Sequence, residues 1–480
     1  MREKILKGGG AVLLRQMVSL PINALGITLA SRFLMPADFG VQAILTLVIA
    51  LSLMLIDLGT SQALVQSKSH PTSEVLRQVQ LFKSLCGFLA VLVLVFLSSW
   101  LINVFGVSSS FMWLFPACGL LGWMQSQRAF QAIGLQRQIE WQKLAKVEMV
   151  EIVVYNCALI VAAYFSRSAW CFVIAFGIRM GIGIIILKVV GKIWTETGGM
   201  IRKSMSSLFR FGIPLQSATL LSVIMNSANP IIVGGTLGMT AVGFINWSNY
   251  IVSLPQIPFQ PLPYFLFSVF SERSRQEKDD QRTIEDIAYI GALLMAVFSL
   301  ILILSLNLLV RYVFGLQWVE AIPAASILVL STVVIVPSLV ITAQLNAKGY
   351  AATSLFISGL GVLLMWILIV IAALLRSGLV GYAVGVLSST VIVFAVQCSI
   401  AFKRIGIRVK WDANIRLIAY VVFCVAAMKL ILHNFVEKSV IWGDVARIAI
   451  AMTVFATLAF LFEGRRLKQV YTAGKSLLAR

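Results

Sequence analysis

Apolar runs about 20 residues long recur along this 480-residue chain, and they constrain its fold more than any other feature. Residues 352–375 are one such run and contain no charged side chain. In the hydrocarbon core of a bilayer the backbone must satisfy its own hydrogen bonds, so a run of this length is a membrane-spanning helix. The sequence therefore predicts an all-α polytopic membrane protein.

The composition agrees with this fold class. Hydrophobic residues make up 59% of the chain and charged residues 12%, too little charge to cover the surface of a soluble protein. The net charge of +20 would suit a nucleic-acid binder, but Lys and Arg lie in short clusters between the apolar runs. The six cysteines lack metal-ligand spacing, and the only histidines are His70 and His433. We expect no nucleic acid, metal or cofactor.

Run length predicts about fourteen membrane spans. They lie near residues 11–33, 40–65, 81–104, 111–133, 147–166, 168–190, 208–233, 240–268, 286–312, 321–346, 352–375, 378–401, 414–433 and 443–462. The first run follows a basic N-terminus but lacks a cleavage site, so it is interpreted as a retained helix. The eighth run is broken by Pro255, Pro258, Pro261 and Pro263.

Lys and Arg concentrate in every second loop, for example in 188–210 and 403–416, and Lys83 is assigned to the loop before the third run. Because basic loops stay on the cytoplasmic side, this alternation predicts that both termini are cytoplasmic. The loops on the other side, such as 104–110 and 234–241, are too short to hold a soluble catalytic domain. The sequence therefore does not predict an enzyme.

Two nine-residue turns that end in glycine follow the first and the seventh runs. RFLMPADFG ends at Gly40, and GTLGMTAVG ends at Gly243, about 203 residues later. Two repeated units with an even number of helices share one orientation in the membrane. The sequence predicts a six-helix bundle in 1–200, a second in 201–405, and two additional spans with a cytoplasmic tail in 406–480.

Three arginines fall within apolar runs or at their ends: Arg15, Arg32 and Arg179. A charge at membrane depth costs roughly 2.5–3.5 kcal/mol, so it usually faces a cavity or a partner. One interpretation is that the three line one cavity that receives an anionic headgroup. The alternative is that Arg15 and Arg32 reach the lipid headgroups at the two membrane surfaces. That explanation is weaker for Arg179, which lies in the middle of its run.

Acidic side chains are rarer in the runs. Asp57 interrupts the second run and could pair with an arginine of another helix, carry a coupling proton, or cap a kink before Gly59; pairing is favoured. Glu148 and Glu151 open the fifth run beside basic residues and are interpreted as interfacial.

Polar side chains recur every three or four residues in two neighbouring runs. The seventh run carries Gln216, Thr219, Ser222, Asn226 and Asn229, and the eighth carries Asn246, Asn249, Ser253, Gln256 and Gln260. Amides can hydrogen-bond sugar hydroxyls, and aromatic rings can stack on sugars; the alternative is that these polar residues bond helix to helix. The candidate sugar-binding residues are Gln216, Asn226, Asn246, Asn249, Tyr250 and Gln256.

Residues 31–66, SRFLMPADFGVQAILTLVIALSLMLIDLGTSQALVQ, resemble the first hairpin of Wzx-type polysaccharide flippases, especially the colanic-acid-exporter-like branch. That branch shows an R-x-L-x-P-x-D-F-G turn and a D-L-G-x-x-x-A-L-I-Q ending. The chain matches the turn from Arg32 to Gly40 and the ending from Asp57, with Val65 in place of Ile. FGIPLQSATLL and LGMTAVGFINWSNYIVSLP also resemble the opening of that family's second half, with Phe244 in place of the usual Tyr.

The resemblance implies a MATE-like fold of the multidrug/oligosaccharidyl-lipid/polysaccharide exporter (MOP) superfamily, with two six-helix bundles around a cavity and two extra C-terminal helices. The implied function is to move undecaprenyl-pyrophosphate-linked oligosaccharides from the cytoplasmic to the periplasmic leaflet of the bacterial inner membrane by alternating access. Such a flippase serves exopolysaccharide, capsule or O-antigen synthesis. Arg15, Arg32 and Arg179 would then meet the pyrophosphate, and Asp57 is the candidate for ion coupling. Membrane lipid and polysaccharide polymerases or glycosyltransferases are the implied partners.

The same fold leaves other functions open, because a fold does not fix its substrate. An exporter of drugs or small cations would favour acidic groups in the cavity, whereas this chain offers mainly arginines. A lipid II flippase would also suit the arginines, although the turn at Gly40 is less like that branch. A membrane glycosyltransferase, polymerase or ligase would need a large outer loop.

Overall fold

The computed structural model describes residues 2–67, 71–190, 208–210, 212–213, 216, 223–224, 227, 229–260, 262–275, 281–406, 411–432 and 448–460. All regular secondary structure in these residues is helical, which confirms the predicted all-α class. Contacts between residues divide the chain into two units, Met1–Asn246 and Trp247–Arg480.

The first unit is built from long helices joined by short turns. They are α1 (Arg2–Ser31), α2 (Pro36–Asp57), α3 (Thr60–Gln66), α4 (Ser73–Phe105), α5 (Leu114–Arg137), α6 (Trp141–Ser166), α7 (Trp170–Val190), α8 (Gly234–Leu237) and the start of α9 (Met239–Ser253). Helix α6 packs against α1 and α7 and, over a smaller area, against α5; helix α5 also packs against α2, α4 and α7. Side chains of α6 therefore face three neighbouring helices.

Helix α2 has sharply defined ends. At its start the Asp38 carboxylate accepts hydrogen bonds from the backbone N–H groups of Met35 (2.9 Å) and Ala169 (3.0 Å), which ties the turn before α2 to the start of α7. At its end Leu58 (φ 42°) and Gly59 (φ 73°) adopt the left-handed conformation that stops a helix. A side chain at Gly59 would also collide with the backbone of Gly212, so this turn requires glycine.

The two glycines of the predicted repeat touch each other's turns. A side chain added to Gly40 would collide with the carbonyl oxygen of Met239, and one added to Gly243 would collide with the carbonyl oxygen of Pro36. The contact is reciprocal, because Pro36 and Met239 occupy the same place in the two turns as counted back from each glycine. These two turns therefore bring the backbones of α2 and α9 into close contact.

The second unit continues through the rest of α9 and a 3₁₀ segment, Leu254–Phe259. Its further helices are α10 (Leu262–Arg275), α11 (Gln281–Leu309), α12 (Ile322–Leu330), α13 (Ile335–Ala347), α14 (Ala351–Leu374), α15 (Gly378–Ile405), α16 (Trp411–Leu432) and α17 (Ile448–Phe460). Helix α13 packs against α10 and α11, and α15 packs against α14 and α12.

Side-chain hydrogen bonds join helices of this unit at two places. The hydroxyls of Ser299 and Thr332 lie 2.8 Å apart. The Gln397 amide donates to the Ser338 carbonyl (3.0 Å) and to the Thr342 hydroxyl (2.8 Å). Paired groups of this kind join transmembrane helices without exposing polar atoms to lipid.

Helix lies where the sequence predicts spans, except that most of the seventh predicted span, 208–233, falls outside the described residues. Among the described helices, eight stretches are long and apolar enough to cross a membrane. Three helices begin well before their predicted starts: α1 at Arg2 instead of near residue 11, α4 at Ser73 instead of near 81, and α6 at Trp141 instead of near 147. The assignment of Lys83 to a loop was therefore wrong. The predicted domain boundary near residue 200 lies outside the described residues.

Candidate functional site

Five charged side chains meet where α6 packs against its three neighbours. Arg15 comes from α1, Arg128 from α5, Glu148 and Glu151 from α6, and Arg179 from α7. The two glutamates are three residues apart, which places them on one face of α6. We refer to these five residues as the arginine–glutamate cluster.

Arg128 joins the two glutamates. Its Nε donates to Glu151 Oε1 at 2.9 Å, and its Nη2 donates to Glu148 Oε1 at 3.3 Å. Arg15 donates to the other oxygen of Glu148. Glu151 is completely buried, so the earlier interpretation of this residue as interfacial was wrong; the early start of α6 carries it into the helix packing.

Arg179 lies at the edge of the cluster and is only loosely paired. Its Nε is 4.0 Å from Glu151 Oε2, and its guanidinium lies over the Tyr155 ring at 5.7 Å from the ring centre. Both Glu151 Oε2 and Arg179 Nε are buried and have no hydrogen-bond partner in the described part of the chain. The Arg179 side chain as a whole is 31% exposed, whereas the other three cluster side chains with known exposure near Glu151 are less so: Arg15 26%, Glu148 18% and Arg128 17%.

A glycine of α7, Gly183, provides the space that the Glu151 carboxylate occupies. A side chain at Gly183 of α7 would collide with Glu151 Oε1 and would press on Arg128. The cluster contains three guanidinium groups and two carboxylates, so its formal charge is positive. A site with surplus cations and one unpaired donor can accept an anion.

A cavity of about 250 Å³ adjoins the cluster through Tyr155. Most of its wall is apolar, and its polar groups come from Gln42, Thr46, Gln125, Tyr155 and Gln216. The remaining wall is formed by Leu45, Ile49, Ala50, Leu53, Met54, Phe172, Val173, Phe176 and Val223. A cavity of this kind suits a ligand that is partly apolar and carries a few hydrogen-bonding groups.

The structure separates the three predicted arginines. Arg15 and Arg179 both belong to the arginine–glutamate cluster, through Glu148 and Glu151 respectively. Arg32 is exposed just beyond the end of α1, about 25 Å along the helix axis from Arg15 at the usual rise per residue. A single cavity in the first unit therefore does not collect all three.

Asp57 lies in a second buried charge site. Lys83 Nζ donates to Asp57 Oδ1 at 2.5 Å and to the Ser61 hydroxyl at 2.7 Å, and it lies 5.6 Å from the centre of the Phe130 ring. The Ser61 hydroxyl in turn donates to Asp57 Oδ1 at 2.7 Å. Asp57 is thus paired, but its partner is a lysine and not the expected arginine.

The predicted sugar-binding residues have different surroundings. Gln216 lines the cavity, and Asn226 lies outside the described residues. The Asn246 amide donates to Gln42 Oε1 (2.8 Å) and to the Phe39 carbonyl (3.2 Å), so it bonds helix to helix. Asn249, Tyr250 and Gln256 are half-buried, and the Gln256 amide donates to the Val252 carbonyl at 3.0 Å.

Sequence reasoning missed Arg128 and the burial of Glu151 and Lys83. Arg128 is inconspicuous in the sequence, because it lies near the end of an apolar run, where a basic residue is expected. The nearest other arginine, Arg137, lies nine residues away, and this spacing does not indicate that Arg128 has a partner on another helix. No group of three or more His, Cys, Asp or Glu side chains that could hold a metal ion occurs among the described residues.

Comparison with known proteins assigns this sequence to a family. The profile of the family described as "Polysaccharide biosynthesis protein" matches residues 29–323, which is more than half of the chain. The chain belongs to this polysaccharide biosynthesis family. An uncharacterised membrane protein from the cps region of Klebsiella pneumoniae, 25% identical over 401 residues, covers 81% of the chain and 80% of its own length. The lipopolysaccharide biosynthesis protein WzxC of Escherichia coli strain K12 is 20% identical, covering 68% of the chain and 67% of its own length.

Two solved structures of other proteins have a fold similar to that of this chain. The lipid II flippase MurJ in an inward closed conformation has a TM-score of 0.65 at 15% identity and covers 96% of the chain and 100% of its own. An inward-facing multidrug resistance MATE transporter of the MOP superfamily has a TM-score of 0.57 at 15% identity and covers 81% of the chain and 94% of its own. These likenesses confirm the predicted MATE-like fold of this polysaccharide biosynthesis protein.

Proposed function

We propose that this protein moves undecaprenyl-pyrophosphate-linked oligosaccharide repeat units from the cytoplasmic to the periplasmic leaflet for surface polysaccharide synthesis. The observation that carries the proposal is the arginine–glutamate cluster, which has surplus positive charge at a depth where charge is costly. The family assignment and the names of the relatives, which concern a cps region and lipopolysaccharide, support the same substrate class.

A diphosphate is the anion that this cluster suits best. Guanidinium groups match phosphate oxygens with parallel hydrogen bonds, and they remain charged whatever the surroundings. Arg179 offers an unpaired Nε, and Arg15 and Arg128 are held nearby by Glu148. We infer that Arg15, Arg128 and Arg179 receive the pyrophosphate and that Arg32, which is remote, meets lipid headgroups instead.

The sugars require amides and hydroxyls beside the phosphate site. Gln42, Gln125 and Gln216 line the adjoining cavity and can exchange hydrogen bonds with sugar hydroxyls. The cavity volume of about 250 Å³ is too small for an oligosaccharide, so only one part of the substrate fits there in this conformation. Asn226, Asn246, Asn249, Tyr250 and Gln256 remain proposed sugar contacts in other conformations.

The proposed setting is the bacterial inner membrane with both termini cytoplasmic, as the distribution of basic loops indicates. Transport involves no covalent step, so the protein acts as a transporter and not as an enzyme. Polysaccharide polymerases and glycosyltransferases are proposed partners, because they supply and consume the lipid-linked glycan.

A leaflet-resolved assay in sealed vesicles tests the function, with undecaprenyl pyrophosphate that carries a short oligosaccharide as the probe. We expect wild type to move the lipid between leaflets and Arg179→Ala to be slower by about tenfold or more, because a hydrogen bond to a charged group contributes about 1.5–3 kcal/mol. Arg77→Ala is the matched control, since Arg77 is exposed on α4 and lies outside the cluster. It should transport like wild type.

The competing function in the same fold is export of drugs or small cations. If vesicles with wild type move none of several glycan-bearing lipids and instead move small organic cations, the exporter function replaces the proposed one. The Arg179→Ala variant should then leave transport unchanged.

A further inference from the structure

Two exposed arginines lie at the ends of two helices that pack together, α1 and α6. Arg32 follows the last residue of α1, and Arg167 follows the last residue of α6 and adopts the left-handed conformation (φ 45°). Neither guanidinium forms an ion pair with a carboxylate in the part of the chain that the structure describes. Both arginines are therefore open to an anion from outside the protein.

The Asp38 carboxylate holds the two turns that carry these arginines together. Its Oδ2 accepts from the N–H of Met35, three residues after Arg32, and its Oδ1 accepts from the N–H of Ala169, two residues after Arg167. Asp38 is buried, and its oxygens bond to backbone instead of to either guanidinium. Two guanidinium groups against one carboxylate leave this end of the first unit with a positive formal charge.

Aromatic rings join the same two helix ends. The Phe33 ring meets the Tyr164 ring edge-on, with 5.5 Å between the ring centres, and Tyr164 meets Phe165 in the same way at 5.2 Å. Tyr164 and Phe165 are exposed, Phe165 by 80%. Exposed aromatic rings at a helix end are typical of the level of the lipid headgroups, so these rings indicate where the membrane surface lies.

Apolar side chains are exposed on the turns that lead up to this end. Leu25, Leu29 and Arg32 follow one another at spacings of four and three, which places them on one face of α1. Both leucines are exposed, as are Val161 and Phe165 on α6. Within a bilayer, exposed apolar side chains contact acyl chains, and a charged group at the surface contacts headgroups. The arrangement therefore matches a lipid from headgroup to chain.

We propose that Arg32, Arg167, Tyr164 and Phe165, the two-arginine surface, bind an anionic phospholipid of the surrounding bilayer. The two guanidinium groups bind the headgroup phosphate, and the apolar turns below them contact the acyl chains. A zwitterionic headgroup is disfavoured, because it would bring its own cation close to two others. The proposed function contributes only the orientation, which makes this the periplasmic leaflet.

The two-arginine surface is separate from the site proposed for the transported lipid. Arg32 lies about 25 Å along α1 from Arg15 of the arginine–glutamate cluster. Bilayer phospholipid surrounds the ends of α1 and α6 at all times, whereas the transported lipid reaches them only on release. The surface therefore favours a resident phospholipid as its occupant.

The second unit contains a natural comparison. Arg376 lies just beyond the end of α14, is exposed, and also adopts the left-handed conformation (φ 50°). The residues before it are Leu374 and Leu375 instead of aromatic residues, and the turn at 234–239 before α9 contains no arginine. Arg376 is thus an exposed arginine of the same kind as Arg167, without a second arginine in that turn.

Fluorescence quenching in nanodiscs of phosphatidylcholine tests the proposal. The full-length chain, with its six cysteines replaced, carries a fluorophore at Ser166→Cys, an exposed position beside Arg167. The probe is phosphatidylglycerol with a spin label near the top of one acyl chain, and phosphatidylcholine with the same label is the reference. We expect half-maximal quenching at a mole fraction about 25-fold lower for the probe, because each arginine near a membrane surface favours anionic lipid about fivefold.

Arg32→Gln alone should reduce this preference to about fivefold, and Arg32→Gln with Arg167→Gln should abolish it. Both side chains are exposed, so we expect these variants to fold, and thermal unfolding in detergent checks this. The matched control is a fluorophore at Ser377→Cys, beside Arg376, where one arginine should give a preference of about fivefold. Equal quenching by probe and reference at Ser166→Cys, or a preference that survives loss of both arginines, would overturn the proposal.

An equal preference at Ser166→Cys and Ser377→Cys would show a general attraction of anionic lipid to this membrane surface and would also overturn the site. Unlabelled competitors distinguish the two sources of lipid phosphate. If undecaprenyl pyrophosphate that carries an oligosaccharide displaces the probe at a lower mole fraction than phosphatidylglycerol does, the surface serves the transported lipid and the phospholipid assignment is wrong. Each of these outcomes leaves the flippase function intact, because the vesicle assay measures transport separately.

Discussion

The ammonium group of Lys83 has three close partners: the Asp57 carboxylate, the Ser61 hydroxyl and the Phe130 ring. Such a buried pair contributes little net stability when it is complete, because removing both charges from water costs about as much as their attraction returns. Loss of one partner is costly, because it leaves the other charge buried and alone. The pair therefore fixes the position of the turn after α2 relative to α4.

We predict that Lys83→Met destabilises the protein by about 3–5 kcal/mol, the range found when one member of a buried ion pair is removed. Thermal unfolding in detergent measures the effect. The double variant Lys83→Met with Asp57→Asn should recover most of the loss, since no charge is then left unpaired. Equal stabilities of Lys83→Met and wild type would contradict the buried pair.

Gly183 gives a second prediction for a single residue. Gly183→Val should disrupt the bond between Arg128 and Glu151, because its side chain would occupy the position of Glu151 Oε1. We expect transport in vesicles to fall by about tenfold or more, as for the loss of a charge-assisted hydrogen bond. Gly181→Val is the control in the same helix, since its nearest neighbour beyond α7 is the end of the Met124 side chain at 3.8 Å. A similar loss in both variants would count against a specific role of the cluster.

At the scale of whole helices, the contact between α2 and α9 depends on two glycines. Gly243→Ala should push the helices apart, because the new methyl group would meet the Pro36 carbonyl. A disulfide between Gln42→Cys and Asn246→Cys, in a chain whose six native cysteines are replaced, reports the contact, because the native side chains at these two positions face each other, with Asn246 Nδ2 donating to Gln42 Oε1 at 2.8 Å. We expect the disulfide to form readily, and much more slowly once Gly243→Ala is added.

Gly235→Ala is the control for that experiment, since a side chain there meets nothing within 4 Å. It should leave the rate of disulfide formation unchanged. Unchanged formation in Gly243→Ala as well would show that the two helices do not need this close approach.

Helix positions could be predicted from sequence much better than the pairing between helices. Long apolar runs are visible in one dimension, and they gave the approximate bounds of nearly every described helix. The starts of α4 and α6 were placed too late, because their first turns are polar and hydropathy alone excludes them. That error placed Lys83 and Glu151 at the very ends of their predicted runs, so both were interpreted as residues of the membrane surface, although each lies two or more turns inside its helix.

For the candidate site, too, the sequence shows single residues better than it shows their partners on other helices. Arg15 and Arg179 were found because a charge inside an apolar run is conspicuous. Arg128 was not found, because the sequence does not show that α5 packs against α6 and so places Arg128 beside Glu148 and Glu151. The sequence predicts that Asn246 belongs to a polar face of its helix, but it does not show that the Asn246 amide donates a hydrogen bond to Gln42.

For the whole molecule, orientation in the membrane is the prediction that the sequence supports most directly. Helix α4 should cross the bilayer, with Glu74 near its cytoplasmic start and Ser108 just beyond its outer end; both side chains are exposed. Ser108→Cys should react with a membrane-impermeant maleimide in intact cells whose outer membrane is permeable to it. Glu74→Cys should react only after the inner membrane is opened. The opposite pattern would reverse the predicted topology.

The reciprocal contact of Gly40 and Gly243 has a consequence for ancestry. Two identical chains that meet about a two-fold axis make contacts in which each copy offers the same residues to the other. The turns at 36–40 and 239–243 meet in this way within one chain. A contact of this kind is what the duplication and fusion of a gene for a shorter, homodimeric membrane protein would leave. After such a fusion the two halves would no longer have to match, and each could change its charges independently of the other.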